Sequence, residues 1–186
     1  MKLKVAELKD IGSVLDLHYR YQIDTISDKD KKDGFVTTPF SHDELSKLIT
    51  EEQGLFIAQQ DDQVLAYVMA ASWEYWSAWP MFAHMINELP HLKYLGQTLS
   101  TQNSYQYGPI CIDKSKRGSG LLESIFDFSR EKMSKRFPIL VTFINKNNPR
   151  SINVHINKLG LSPIKEFEYN QNHYVELVYD TSKRLL

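Results

Sequence analysis

Between Tyr105 and Leu122 the sequence reads YQYGPICIDKSKRGSGLL, an apolar strand that runs into a basic, glycine-flanked turn and straight on into a helix. That order of elements makes a phosphate seat. Gly118 and Gly120 carry no side chain to block an approaching anion, so the N–H groups of the turn and of the first helical residues can converge on one oxygen cluster. Lys114, Lys116 and Arg117 add positive charge. A Walker loop would need Gly-Lys followed by Ser or Thr. A dinucleotide fingerprint would need three glycines early in a βαβ unit, with an acidic residue about 20 positions on. Neither fits.

The rest of the chain bounds what can surround this seat. Its 186 residues, 42% hydrophobic and 24% charged, have the composition of one globular domain with a substantial core. A formal charge of −1, from 22 basic and 23 acidic residues, gives no global pull toward nucleic acid or an anionic membrane. The single cysteine, Cys111, excludes an intramolecular disulfide, and the start MKLKVAELKD lacks the apolar core of a secretory signal. The cytoplasm is the expected compartment. No apolar run approaches the ~20 residues of a membrane helix, and the six histidines lack metal-ligand spacing.

Periodicity supplies an element order. Leu3 to Ala6 reads as a strand, and Ile11, Val14, Leu15 and His18 recur at helical spacing. The polar DTISDKDKKDG run reads as a mobile loop edging a cleft. Ser41, with Glu44 three positions on, opens a second helix through Glu52. Leu55–Gln59 and Val64–Ala71 form a hairpin across Asp61 and Asp62. An aromatic-rich insertion then spans 72–102, with a short helix expected over Phe82–Leu89. Its Trp and Phe residues fit a pocket for a cationic or aromatic acceptor, a core layer or a dimer interface. Tyr105–Asp113 is the next strand, followed by a helix from about Ser119 to Arg136 and a strand over Ile139–Asn145. Asn148 as N-cap, Pro149 at the first helical position and Gly160 at the end delimit another helix. Ile164–Tyr169 and His173–Tyr179 close the chain as a hairpin.

This order resembles the GNAT family, the GCN5-related N-acetyltransferases, over essentially the whole chain except 72–102. The RGSG turn is similar to that family's pyrophosphate motif, with Ser115 in place of its usual long polar first residue and Arg117 or Lys116 left to supply the charge. Asn148, Ser151, His155 and the KLG ending at Gly160 resemble a second family pattern, with His in place of the more frequent Tyr. The resemblance implies a single α/β domain over 1–186, built on a central mixed seven-stranded sheet flanked by about four helices. It further implies that pantetheine lies as an extra strand where two central strands splay, and Pro109, which cannot donate to a ladder, agrees with a strand lacking a partner there. Ile110 and Ile112 would offer backbone groups to pantetheine. Arg117, Gly118, Ser119, Gly120 and Leu121 would hold the pyrophosphate, and Asn148 and Ser151 would approach the cofactor's arm.

The implied activity is transfer of acetyl from acetyl-CoA to a small-molecule or peptide amine by direct attack in a ternary complex. An alkylammonium has an ordinary pKa near ~10.4, so such a site needs a proton acceptor. Glu74, amid aromatics that would raise its pKa, is the first candidate, followed by His155 and His84. Tyr107, Tyr105 or His155 would protonate the departing thiolate. Cys111, with no basic partner in sequence, reads as a small hydrophobe and not as a nucleophile. Two other readings stay open: a CoA-binding regulatory module without turnover, and an interaction protein, a homodimer included, that uses the aromatic insertion as its surface.

Overall fold

The computed structural model describes residues 1–186. Seven strands are hydrogen-bonded in the order β1-β2-β3-β6-β7-β9-β8, and β4 and β5 form a separate two-stranded ribbon. The chain divides into two compact units.

The first unit comprises Met1–Ala70 with Gly108–Ser129. Its strands β1 (Lys2–Val5), β2 (Leu55–Gln60) and β3 (Gln63–Ala71) pair antiparallel, β1 with β2 and β2 with β3. Asp61 and Asp62 both take positive φ, 49° and 61°, as a tight two-residue hairpin turn requires. Helix α1 (Ile11–Tyr21) buries Ile11, Val14 and Leu17 at helical spacing. A short α2 (Asp28–Lys31) follows, and α3 (His42–Thr50) opens with the expected reciprocal cap between Ser41 and Glu44. Gly54 marks a close approach, because a Cβ there would lie 1.9 Å from the Ala70 carbonyl oxygen.

The DTISDKDKKDG run departs from the expected mobile loop. Its ends are tied by Ile23 N–H to the Val36 carbonyl and Val36 N–H to the Tyr21 carbonyl, at 2.8 and 3.0 Å, and it contains α2. The local sequence hides this order because the bonds that close the loop join its two flanks, across the polar run itself.

The second unit comprises Ala71–Tyr107 with Arg130–Leu185. The insertion folds into α4 (Trp73–Trp76), α5 (Pro80–Glu88), a 3-10 turn at Leu89–His91, and the ribbon β4 (Lys93–Tyr94) with β5 (Gln97–Thr98). Helix α5 begins two residues before the expected position because Pro80 fits its first turn. Strand β6 (Ser104–Ile112) starts in this unit and ends in the first. It pairs in parallel with β7 (Ile139–Asn145) only from Ser104–Ile139 to Gln106–Val141. Strand β9 (Asn172–Asp180) lies antiparallel to β7 and to β8 (Ser162–Tyr169).

Helix α6 (Leu121–Met133) is shorter than the expected Ser119–Arg136. Gly120 has a φ of 82°, outside the helical region, and Pro138 disfavours helical backbone just before it. Helix α7 (Pro149–Asn157) has the expected ends, with Asn148 Oδ1 accepting from Ser151 N–H and Gly160 at a φ of 76°. No helix is long and apolar enough to cross a membrane.

Candidate functional site

The phosphate seat lies in the first unit. Where β6 ends, Asp113 accepts from the Ser115 N–H and hydroxyl at 2.9 and 2.7 Å, which turns the chain into a 3-10 turn over Lys114–Lys116. Burial pushes the Asp113 carboxyl up, but the Ser115 bonds and the Arg20 guanidinium outweigh it and hold the group below the usual carboxylate range. Gly118 and Gly120 follow at φ 78° and 82°, a region that L side chains rarely occupy. No atom lies within 4 Å of a Cβ placed on either glycine. Gly118, Ser119 and Gly120 are exposed, while Leu121 is buried and anchors the start of α6. The turn is therefore open, and it leads directly into the N-terminus of a 13-residue helix. Such an opening favours an anion through its N–H groups and the helix dipole.

Side chains around the seat are arranged differently from the sequence expectation. Arg117 donates from Nε to the Ile112 carbonyl at 3.1 Å and from Nη1 to the Asp33 carbonyl at 2.8 Å, and its guanidinium lies 4.9 Å from the Tyr21 ring centroid. These donors face backbone oxygens, so Arg117 braces the 22–36 loop instead of standing in for the long side chain missing at Ser115. Lys114 Nζ lies 2.8 Å from Asp30 and 3.4 Å from Asp33. The Ser119 hydroxyl donates to the Lys116 carbonyl at 2.6 Å, leaving backbone groups as the seat's directional donors. Ile110 and Ile112 are half-buried on β6 beyond its last pairing with β7.

In the second unit, Thr142 Oγ1 and Gln106 Nε2 both donate to the Tyr107 carbonyl, at 2.7 and 2.6 Å, where the β6–β7 ladder stops. The Tyr107 ring lies edge-on to His155 at 5.9 Å. Burial raises the Tyr107 phenol well above its ordinary pKa, so it stays protonated and suits an acid, not a base. Tyr105 is shifted the same way by burial, and its hydroxyl has no hydrogen-bond partner.

His155 is corrected by its surroundings. Burial lowers its imidazole to about 4, and Nδ1 lies 2.8 Å from the Ser151 carbonyl, which can only accept. The neutral ring thus keeps its proton on Nδ1, committed to the helix backbone, with none to give a leaving thiolate at neutral pH. Asn148 and Ser151 serve the α7 cap.

Glu74 also departs from expectation. Its α4 neighbours Trp73 and Trp76 are fully buried, donating to Ser104 Oγ and to the Gln106 carbonyl, while Glu74 itself is exposed. The apolar enclosure expected around it is therefore absent. His84, the other fallback base, lies tilted against the β8 rings Phe167 and Tyr169, with ring centroids 6.1 and 5.5 Å away. Trp76 stacks on Phe82 at 4.8 Å and Phe82 meets Phe143 at 5.5 Å, so these rings of the insertion are a packed layer and not the walls of an open pocket.

The perturbed acid of this unit is Glu176 on β9, 2% exposed, with a carboxyl that burial pushes up to about 7. Sequence reasoning passed over it. Its signal is the lone acid in YVELVY, whose period-2 neighbours Tyr174 and Val178 belong to the core face. Cys111, in the first unit, behaves as expected: burial pushes its thiol up to about 12, which keeps it protonated.

No protein-family profile matches the sequence, and no curated protein matches it significantly. Solved structures do match in shape. smu.2055 from Streptococcus mutans UA159 superposes with a TM-score of 0.65 at 16% identity, covering 97% of this chain and 99% of the other. A ribosomal-protein-alanine N-acetyltransferase from Brucella melitensis gives 0.64 at 12% identity, with coverage of 97% and 99%. The putative acetyltransferase yncA from Salmonella typhimurium, solved with its cofactor acetyl-CoA, gives 0.64 at 10% identity, with coverage of 99% and 95%. Sheet order, the open glycine turn and these superpositions agree: the fold of this chain is that of the GNAT acetyltransferases.

Proposed function

We propose that the whole chain, insertion included, is an acetyl-CoA-dependent N-acetyltransferase that passes acetyl to the amine of a small molecule or peptide. The observation that carries this reading is the open turn at Gly118 and Gly120, placed at the N-terminus of α6 in a fold shared with a protein solved with acetyl-CoA. Backbone N–H groups from Gly118 to Leu121 would receive the pyrophosphate. The edge of β6 over Ile110 and Ile112 would receive the pantetheine amides, as an added strand would. Acetyl-CoA supplies an activated thioester. What the chain supplies is orientation, a carboxylate or water to take the amine's proton, and a protonated phenol near the leaving sulfur, for which Tyr107 is the candidate. Of the proton donors named from sequence, burial keeps Tyr107 and Tyr105 protonated, while the His155 proton is committed to the Ser151 carbonyl.

The test is thermal stability of the purified protein with acetyl-CoA, CoA, ATP and sulfate in parallel. A rise with acetyl-CoA and CoA alone, followed by thiol release with a panel of amines, is expected. No preference for CoA over sulfate would remove the transferase reading and leave an interaction protein. A CoA-specific rise without thiol release would leave a binding module.

A further inference from the structure

Glu176 is a carboxylate in a place where carboxylates are rarely kept. It sits on β9, opposite Phe143 of β7 on one side and Lys165 of β8 on the other. Cross-strand partners share a face, so the three side chains project together toward α5. Helix α5 covers this face through Glu88, whose Oε2 accepts from Lys165 Nζ at 2.6 Å. Glu176 Oε1 has no hydrogen-bond partner. One ammonium therefore serves two carboxylates, and Glu88 takes its hydrogen bond.

The surroundings favour a cation. One step along the same two strands, Phe167 and Tyr174 stack at 5.2 Å, and Tyr174 meets Phe143 at 5.6 Å, so Glu176 shares its sheet face with three aromatic rings. Lys165 and Glu88 are themselves about one-third exposed, at 30% and 33%. Solvent thus reaches the ion pair beside Glu176. A buried acid left half-satisfied destabilises a fold and recurs where a ligand completes its bonding.

We propose that Glu176 is the acceptor-recognition carboxylate of this protein, receiving a primary alkylammonium group that enters past the part-exposed Lys165–Glu88 pair and displaces the ammonium of Lys165. The assignment deepens the transferase reading and rests on it for the word acceptor, while the cation site stands on its own geometry. It would select amines whose charged head is carried on an apolar or aromatic stem, the kind of group that Lys165 now presents from within the chain.

The test is a titration of the full-length protein with n-butylammonium and phenethylammonium, with n-butanol as the uncharged control, beside the CoA thermal shift. At pH 8 the wild type should bind the ammonium probes saturably and ignore butanol. Glu176→Gln, a neutral isostere of the protonated acid, should weaken that binding at least tenfold and leave the CoA shift unchanged. Lys165→Met, which removes the competing ammonium, should strengthen it. Affinity should rise in the wild type from pH 6 to pH 8 as Glu176 ionises. It should stay flat in Glu176→Gln, where Lys165, Glu88 and His84 remain the charged and titratable groups around the position. Absence of saturable ammonium binding, or equal affinity in wild type and Glu176→Gln, would overturn the assignment. Glu176-dependent ammonium binding without any CoA shift would retain the cation site and remove the transferase reading.

Discussion

Arg117 and Asp33, 84 positions apart in the chain, are joined by a 2.8 Å hydrogen bond from the guanidinium to the Asp33 main-chain carbonyl. The same arginine holds the Ile112 carbonyl at the end of β6, so one side chain fastens the 22–36 loop to the strand that feeds the phosphate seat. Its role is mechanical, and its charge is spent on backbone oxygens.

Arg117→Ala should therefore loosen the loop. Two charge-assisted bonds from a half-buried side chain contribute about 1–3 kcal/mol between them. Amide hydrogen exchange should accelerate over Asp24–Phe35 while the strands of the sheet stay protected. Lys in place of Arg cannot make both bonds, so Arg117→Lys should exchange nearly as fast as the alanine variant. An unchanged exchange pattern would show that the loop is held by its own end-to-end hydrogen bonds alone.

Gly118→Glu places a side chain and a negative charge in the open turn, at a φ that L residues rarely adopt. CoA affinity should fall at least tenfold, equivalent to about 1.4 kcal/mol, measured by calorimetric titration. Undiminished binding would place the cofactor elsewhere.

Gly54→Ala probes the fold and not the site. Its new Cβ would lie 1.9 Å from the Ala70 carbonyl oxygen, a backbone atom that cannot swing aside. A loss of ~3 kcal/mol or more is expected in urea denaturation, in the range of overpacked positions.

Stability against pH has two opposed contributions. Burial lowers the imidazoles of His18 and His155 to about 4, from an ordinary 6.5. The unfolded chain therefore protonates both before the folded chain does. Their contribution is complete above pH 6.5 and is lost as the pH falls toward 4, by on the order of 3 kcal/mol each. Glu176 runs the other way: its folded value of about 7, against 4.5, makes the folded state hold its proton longer, so stability is lost as the pH rises from 4.5 through 7. Glu176→Gln should thus be more stable than the wild type at pH 8, by ~1–3 kcal/mol, and His155→Phe should flatten the acid limb. Urea midpoints at pH 5, 6.5 and 8 for the three proteins check both signs.

Features held by neighbouring residues were legible in the sequence. The Ser41–Glu44 cap, the Asp61–Asp62 turn, the Asn148-Pro149 start and Gly160 stop of α7, and the open turn at Gly118 and Gly120 each depend on backbone conformations and hydrogen bonds within a few positions. The two hairpins followed because alternating apolar runs flank short turns, whereas the mixed seven-stranded sheet was implied by the family resemblance. Everything that depended on where a side chain points was settled only by packing. Glu74 and Glu176 are both acids among aromatic residues, yet α4 turns the first outward while α5 covers the second. Arg117 looks like a phosphate ligand by position, and it became a brace because a loop 84 residues upstream offered it a carbonyl. His155 lost its acid role to a carbonyl one helical turn away and to the burial that α7 imposes. Local sequence encodes local backbone, whereas the ionisation and partners of a side chain depend on the dielectric and the donors that distant segments bring to it.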